Sequence, residues 1–147
     1  MLRLGKLTDY AMLVMSQMAK TPHTVLSATT LADALHLGVP TVSKVLKMLA
    51  DSTLVSSVRG AEGGYHLARP GNEITVAEVI TAMEGGLAMT ECCESVSRCA
   101  LDPACNMRGN WQKINKRVHA YLSGFTIADM LEPISAQPIK KELSDDQ

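Results

Sequence analysis

Three short amphipathic helical periods, a β-hairpin pattern directly behind the third, and a narrow apolar stripe after a run of spaced cysteines predict a mainly α chain with one small β-hairpin wing. The order is that of a winged helix-turn-helix unit carrying a long C-terminal dimerisation helix. We divide it into a DNA-binding unit (1–84), a cysteine-rich loop (85–105), a dimerisation helix with a closing helix (102–132) and a mobile tail (133–147).

The first helix spans Leu7 to Ala19, with Leu7, Tyr10, Ala11, Val14, Met15 and Met18 at helical spacing, and Thr21-Pro22-His23 ends it. A second runs from Ala28 to Leu37, with Thr30 and Asp33 as its start signal and Leu31, Leu35 and Leu37 inward; Gly38 breaks it. The third runs from Pro40 to Ser52. Val42, Val45, Leu46 and Leu49 stand at i, i+3, i+4 and i+7, leaving Thr41, Ser43, Lys44 and Lys47 off the apolar stripe. Strands over 54–59 and 65–69, joined by a turn at 60–64, then make a wing with Arg59 at its tip. We take Thr41, Ser43, Lys44 and Lys47 of the third helix, with Ser57, Arg59, Gly60 and Tyr65 of the wing, as candidate DNA contacts.

A further amphipathic helix covers Thr75 to Met83 and stops at Gly85-Gly86. The last long helix is predicted to start near Asp102-Pro103, with Asp102 as N-cap and Pro103 in the first position. Ala104, Met107, Trp111, Ile114, Val118, Tyr121 and Phe125 alternate in steps of three and four, a heptad seam. Met107, Trp111, Ile114, Val118 and Tyr121 are the candidate dimer contacts. Thr126 to Leu131 reads as a short closing helix.

The chain of 147 residues, 46% hydrophobic and 20% charged, has the profile of a globular protein with a proper core. With one Phe, one Trp and three Tyr, its interior must be filled by Leu, Val, Ala and Met. A net charge of −1 excludes a global basic field, so DNA binding must come from a local patch. Nothing resembles a signal-peptide core, and no apolar run reaches the ~18 residues of a membrane span. We expect a cytoplasmic protein with no membrane partner. In a reducing compartment clustered cysteines bind metal or sense redox more often than they form structural disulfides.

Cys93, Cys99 and Cys105 are evenly spaced, and Cys92 precedes them. This is not the CxxC pairing of zinc ribbons or thioredoxin-like sites. Three thiolates suit an iron–sulfur cluster that takes one more ligand from elsewhere. Four-cysteine zinc is a rival, although adjacent Cys92 and Cys93 fit one tetrahedral ion poorly; metal-free reactive thiols are another. A small redox enzyme is a competing class, but no dinucleotide-binding glycine motif supports it and it leaves the wing unexplained.

The stretch Leu4 to Ala11, the block Leu54 to Gly60 with Gly63-Gly64-Tyr65, the segment Ile74 to Ile80, the spaced cysteines and Thr126 to Leu131 occur in collinear order. Together, over about residues 2–132, they resemble the Rrf2 family of bacterial regulators, which includes the iron–sulfur regulator IscR, the nitric oxide sensor NsrR and regulators of the SUF cluster-assembly operon. Pro40 to Lys47 looks most like the SUF-operon group. The resemblance implies a homodimer on a palindromic operator, with an iron–sulfur cluster on Cys93, Cys99 and Cys105. IscR-like proteins carry a histidine three residues after the last cysteine, where this chain has Arg108. NsrR-like proteins borrow an N-terminal aspartate from the partner subunit, and Asp9 matches it. That favours [4Fe–4S] over [2Fe–2S], with Cys92 an alternative ligand. The expected function is a non-enzymatic repressor that senses cluster status and controls iron–sulfur assembly genes; the alternatives are a metal-free thiol sensor or a small redox protein.

Overall fold

Apolar residues three and four apart on three consecutive helices converge on one core in the computed structural model, which describes residues 3–94 and 105–135. Helix α1 (Lys6–Ala19) buries Ala11, Val14, Met15 and Met18, and α2 (Ala28–Leu35) buries Leu31 and Ala32. Helix α3 (Val39–Asp51) buries Val42, Val45, Leu46 and Leu49, the stripe its sequence predicts. α3 packs on both α1 and α2. Each fully buried side chain of this size contributes about 1.5–3 kcal/mol relative to leaving it in water.

Helix α2 begins at Ala28 as expected, but its cap and its end differ from the expectation. Ser27 is the N-cap, its hydroxyl accepting the Thr30 amide at 3.1 Å. Thr30 therefore lies inside the first turn. At the other end His36 enters the left-handed region (φ 54°), and the Leu37 amide closes onto the Ala32 carbonyl at 3.0 Å. The helix stops at Leu35, and Gly38 caps α3 instead of ending α2. Pro40 stands in the first turn of α3, where its missing N–H costs nothing.

Strands β1 (Val55–Val58) and β2 (Gly64–Leu67) pair antiparallel, with Val55 opposite Leu67 and Ser57 opposite Tyr65. The paired region is shorter than predicted, because Arg59, Ala68 and Arg69 lie beyond the ladder. On its far side Tyr65 exchanges two backbone hydrogen bonds of 2.8 Å with Leu26, anchoring the wing to the loop before α2. A Cβ on Gly64 would sit 2.5 Å from the Leu26 carbonyl oxygen, so only glycine permits this approach.

Helix α4 (Val76–Glu84) starts in a reciprocal capping box between Thr75 and Glu78 and ends at Gly85 (φ 78°). A single turn, α5 (Glu91–Glu94), carries Cys92 and Cys93 and packs against α6 (Arg108–Ser123). The predicted start of the last helix at Asp102-Pro103 falls outside the described residues. Cys105 to Met107 are not helical, so α6 begins at Arg108, later than expected. Gly109 and Asn110 are weak helix formers, and the first turn has no side-chain cap.

Beyond α6 the chain rejoins the first unit. Val76 N–H donates to the Phe125 carbonyl at 2.8 Å, Ile127 N–H to Ile74 at 2.9 Å and Ala128 N–H to Gly71 at 3.1 Å. Ile127 is fully buried. The predicted closing helix is a single 3-10 turn, Asp129–Leu131, held by hydrogen bonds between Thr126 and Asp129. Among the described residues no helix is long and apolar enough to cross a membrane.

Candidate nucleic-acid interface and cysteine site

The buried stripe of α3 orients the rest of that helix. With Val42, Val45, Leu46 and Leu49 turned into the core, Ser43, Lys44 and Lys47 are exposed and Thr41 is half-buried. On the wing, Ser57, Arg59 and Gly60 are exposed, and Gly60 takes a φ of 114° that allows the tight tip. Tyr65 differs from the other candidates: its backbone is paired on both sides, and its half-buried side chain packs against the core. The second strand ends at a braced point. The Arg69 guanidinium donates to the Glu78 carboxylate at 2.6 Å and to the Glu73 carbonyl at 2.9 Å. Burial pushes the Glu78 carboxyl up. The Thr75 amide, the Arg69 guanidinium and the Thr75 hydroxyl outweigh it and hold the group below the usual carboxylate range.

A second carboxylate links the two ends of the unit. Thr8 is a buried polar side chain of α1, and its hydroxyl donates to Glu84 at the end of α4. The Gly5 amide, at the start of α1, donates to the same oxygen at 2.9 Å. The Thr8 hydroxyl and then the Gly5 amide lower the Glu84 pKa, as expected for a carboxylate at a helix N-terminus. A group whose folded pKa is depressed stabilises the fold above its unfolded pKa and loses that contribution as pH falls through the folded one. Glu84 is exposed, so Thr8→Val should cost only about 1 kcal/mol at neutral pH. The difference from wild type should shrink as pH falls through the lowered Glu84 pKa, below the usual glutamate range. Thermal unfolding of both proteins across that range checks the expectation.

The cysteines divide by environment. Cys92 is buried and Cys93 half-buried, and both meet the Thr90 hydroxyl, at 3.1 Å and 3.2 Å. Thr90 donates to Cys93 Sγ, a contact suited to a sulfur carrying negative charge. Cys105 is half-buried, just ahead of α6, and Cys99 lies outside the described residues. Cys92, Cys93 and Cys105 are all free thiols. Among the described residues no three His, Cys, Asp or Glu side chains form a metal site, and Cys93 and Cys105 flank the segment that holds the third candidate. Soft thiolate donors of this kind fit iron–sulfur ligation. Asp9 is exposed in the first turn of α1, next to the buried Thr8.

Along α6 no side chain is buried, although the helix touches α4 and α5. Trp111, Ile114 and Tyr121 are exposed, Val118 is half-buried, and Met107 is exposed at the N-cap. The Tyr121 and Phe125 rings meet edge to face at 5.3 Å. Asn115 is turned toward its own chain, accepting the Met89 amide at 3.0 Å and donating to the Leu87 carbonyl at 2.8 Å. Thr8, Glu84, Thr90 and Asn115 were not singled out from sequence. Thr75 and Glu78 carried a readable capping-box signal, whereas the partners of Thr8 and Asn115 lie too far along the chain for any local pattern.

Residues 4–133 match the Rrf2 family, described as an iron-dependent transcriptional regulator. The transcriptional regulator NsrR of Shouchella clausii is 27% identical over 88% of this chain and 89% of its own length. Among solved structures, IscR of T. potens is 30% identical with a TM-score of 0.64, covering 88% of this chain and 86% of that one. CymR of B. subtilis, described as the global cysteine regulator, is 26% identical with a TM-score of 0.69, covering 89% and 97%. The fold is thus shared over most of its length with solved regulators, and this chain belongs to the Rrf2 family of transcriptional regulators.

Proposed function

We propose that this regulator is a homodimeric repressor whose affinity for a palindromic operator depends on an iron–sulfur cluster held by Cys93, Cys99 and Cys105, and that it controls iron–sulfur assembly genes. The observation that carries the reading is the placement of Cys93 on a turn packed against α6, with Cys105 just ahead of the same helix. A bound cluster supplies an iron–sulfur centre sensitive to oxidants and nitric oxide, which is the chemistry a sensor needs. The chain does the rest. Cys93 and Cys105 tie the cysteine segment to α6, the exposed stripe of α6 pairs two subunits, and each subunit presents one α3 to a major groove. Half-sites lie about 34 Å apart, so a small rotation of α6 changes whether both recognition helices fit.

Asp9, exposed on α1, is in our reading the oxygen ligand that a second subunit borrows, and the cluster is [4Fe–4S]. A carboxylate is a harder and weaker ligand for iron–sulfur chemistry than thiolate, so Asp9 would hold its iron less firmly than the cysteines would hold theirs. Anaerobic purification followed by an absorption spectrum with iron and sulfide analysis tests the reading. A coloured protein with about four irons and four sulfides per subunit is expected. A colourless, iron-free protein that binds DNA in a thiol-dependent way overturns it in favour of a metal-free thiol sensor. The shared contact of Cys92 and Cys93 with Thr90 would serve that second mode.

The DNA face has its own test. Arg59→Ala should lower affinity for a duplex selected by the wild-type protein roughly tenfold and reduce the slope of log affinity against log salt by about one unit. Thermal stability should stay within about 0.5 kcal/mol, since the side chain is exposed. Equal binding across salt concentrations would remove the wing from the interface.

A further inference from the structure

The link between α4 and α5 is built to bend at one end and to hold at the other. Gly85 and Gly86 take positive φ, 78° and 147°, and a Cβ at either would meet no atom within 4 Å, so this point is open and loosely packed. Just before the glycines, Glu84 is locked to Gly5 and Thr8 of α1. Just after them, Asn115 grips the backbone from α6, taking the Met89 amide on Oδ1 and giving Nδ2–H to the Leu87 carbonyl. One side-chain amide thus satisfies a donor and an acceptor two residues apart, as a neighbouring strand would. Three residues past Met89 stands Cys92, and then Cys93.

We infer that Asn115 is the positioning residue that passes the state of the cysteine segment to the long helix, and so to DNA affinity. The inference rests on the reading that chemistry at the cysteines governs binding. α5 packs on α6 directly, and a displacement of Cys92 and Cys93 also pulls on 87–89, the stretch that leads into α5. The glycines absorb it on the α4 side, whereas the paired hydrogen bonds carry it to α6 at position 115. Ile114, on the exposed stripe proposed to pair two subunits, is the adjacent residue. The recognition helices respond through that seam, while Glu84 ties the α4 side of the link to α1.

Asn115→Ala in the full-length chain tests this. In the cluster-free protein, hydrogen exchange at the Met89 amide should accelerate about tenfold, while dimerisation and affinity for the selected duplex stay within about twofold. The ratio of duplex affinities between anaerobically reconstituted and cluster-free protein should fall toward one. Asn115→Asp keeps the acceptor for Met89 and loses the donor to Leu87, and should give an intermediate ratio. Unchanged Met89 exchange, or faster exchange with a wild-type affinity ratio, overturns the inference alone. A wild-type protein whose affinity ignores reconstitution overturns the functional reading and the inference together.

Discussion

Trp111→Glu should leave a folded monomer in place of the dimer we propose for the wild-type chain. Trp111 and Ile114 of α6 are 37% and 43% exposed, and Tyr121 is 56% exposed, although all three are large and apolar. More than a third of each is open to solvent, and α6 has no buried residue. A glutamate at position 111 therefore costs the isolated subunit little. In a paired seam the same carboxylate is buried without a partner, at several kcal/mol, and about 3 kcal/mol is already more than a hundredfold in the dimer dissociation constant. Duplex affinity should fall with it, because one subunit reads one half-site. Sedimentation at micromolar concentration decides the matter, and an intact dimer with unchanged DNA binding would take this stripe out of the interface.

Cys93→Ala should abolish stable cluster binding, whereas Cys92→Ala should retain it. The two residues are adjacent, but α5 separates their roles. Cys92 is buried at 9% exposure, the setting of a small packed side chain, while Cys93 is half-buried and receives a hydrogen bond from Thr90. Removing Cys92 Sγ should cost about 1 kcal/mol in stability and leave the visible spectrum in place. Removing Cys93 should bleach the spectrum and leave duplex binding in the cluster-free mode. The reverse outcome, a colourless Cys92 variant beside a coloured Cys93 variant, would exchange the assignments.

What local pattern controls was legible in the chain alone. The buried stripe of α3 needs only 3.6-residue periodicity, and the hairpin needs only alternation around glycines, so both lie where the sequence places them. The cysteines and the order of elements were equally plain, because spacing is a property of the chain. Helix ends were less so. Thr30 with Asp33 looks like a start signal, but the cap belongs to whichever side chain stands where the backbone turns, and that is Ser27. The start of α6 was misplaced as well: Pro103 permits a helix but cannot enforce one, and Cys105 to Met107 stay outside the helix that begins at Arg108. Tertiary structure alone decided the long-range contacts. It buried Thr8 against Glu84, returned Ile127 to the core of the first unit, and turned Asn115 onto the loop ahead of the cysteines. Each of these joins residues dozens of positions apart through one polar group or one buried side chain. Local periodicity records which face of a helix is apolar, but not which distant backbone group a single amide or carboxylate will meet once the faces have packed.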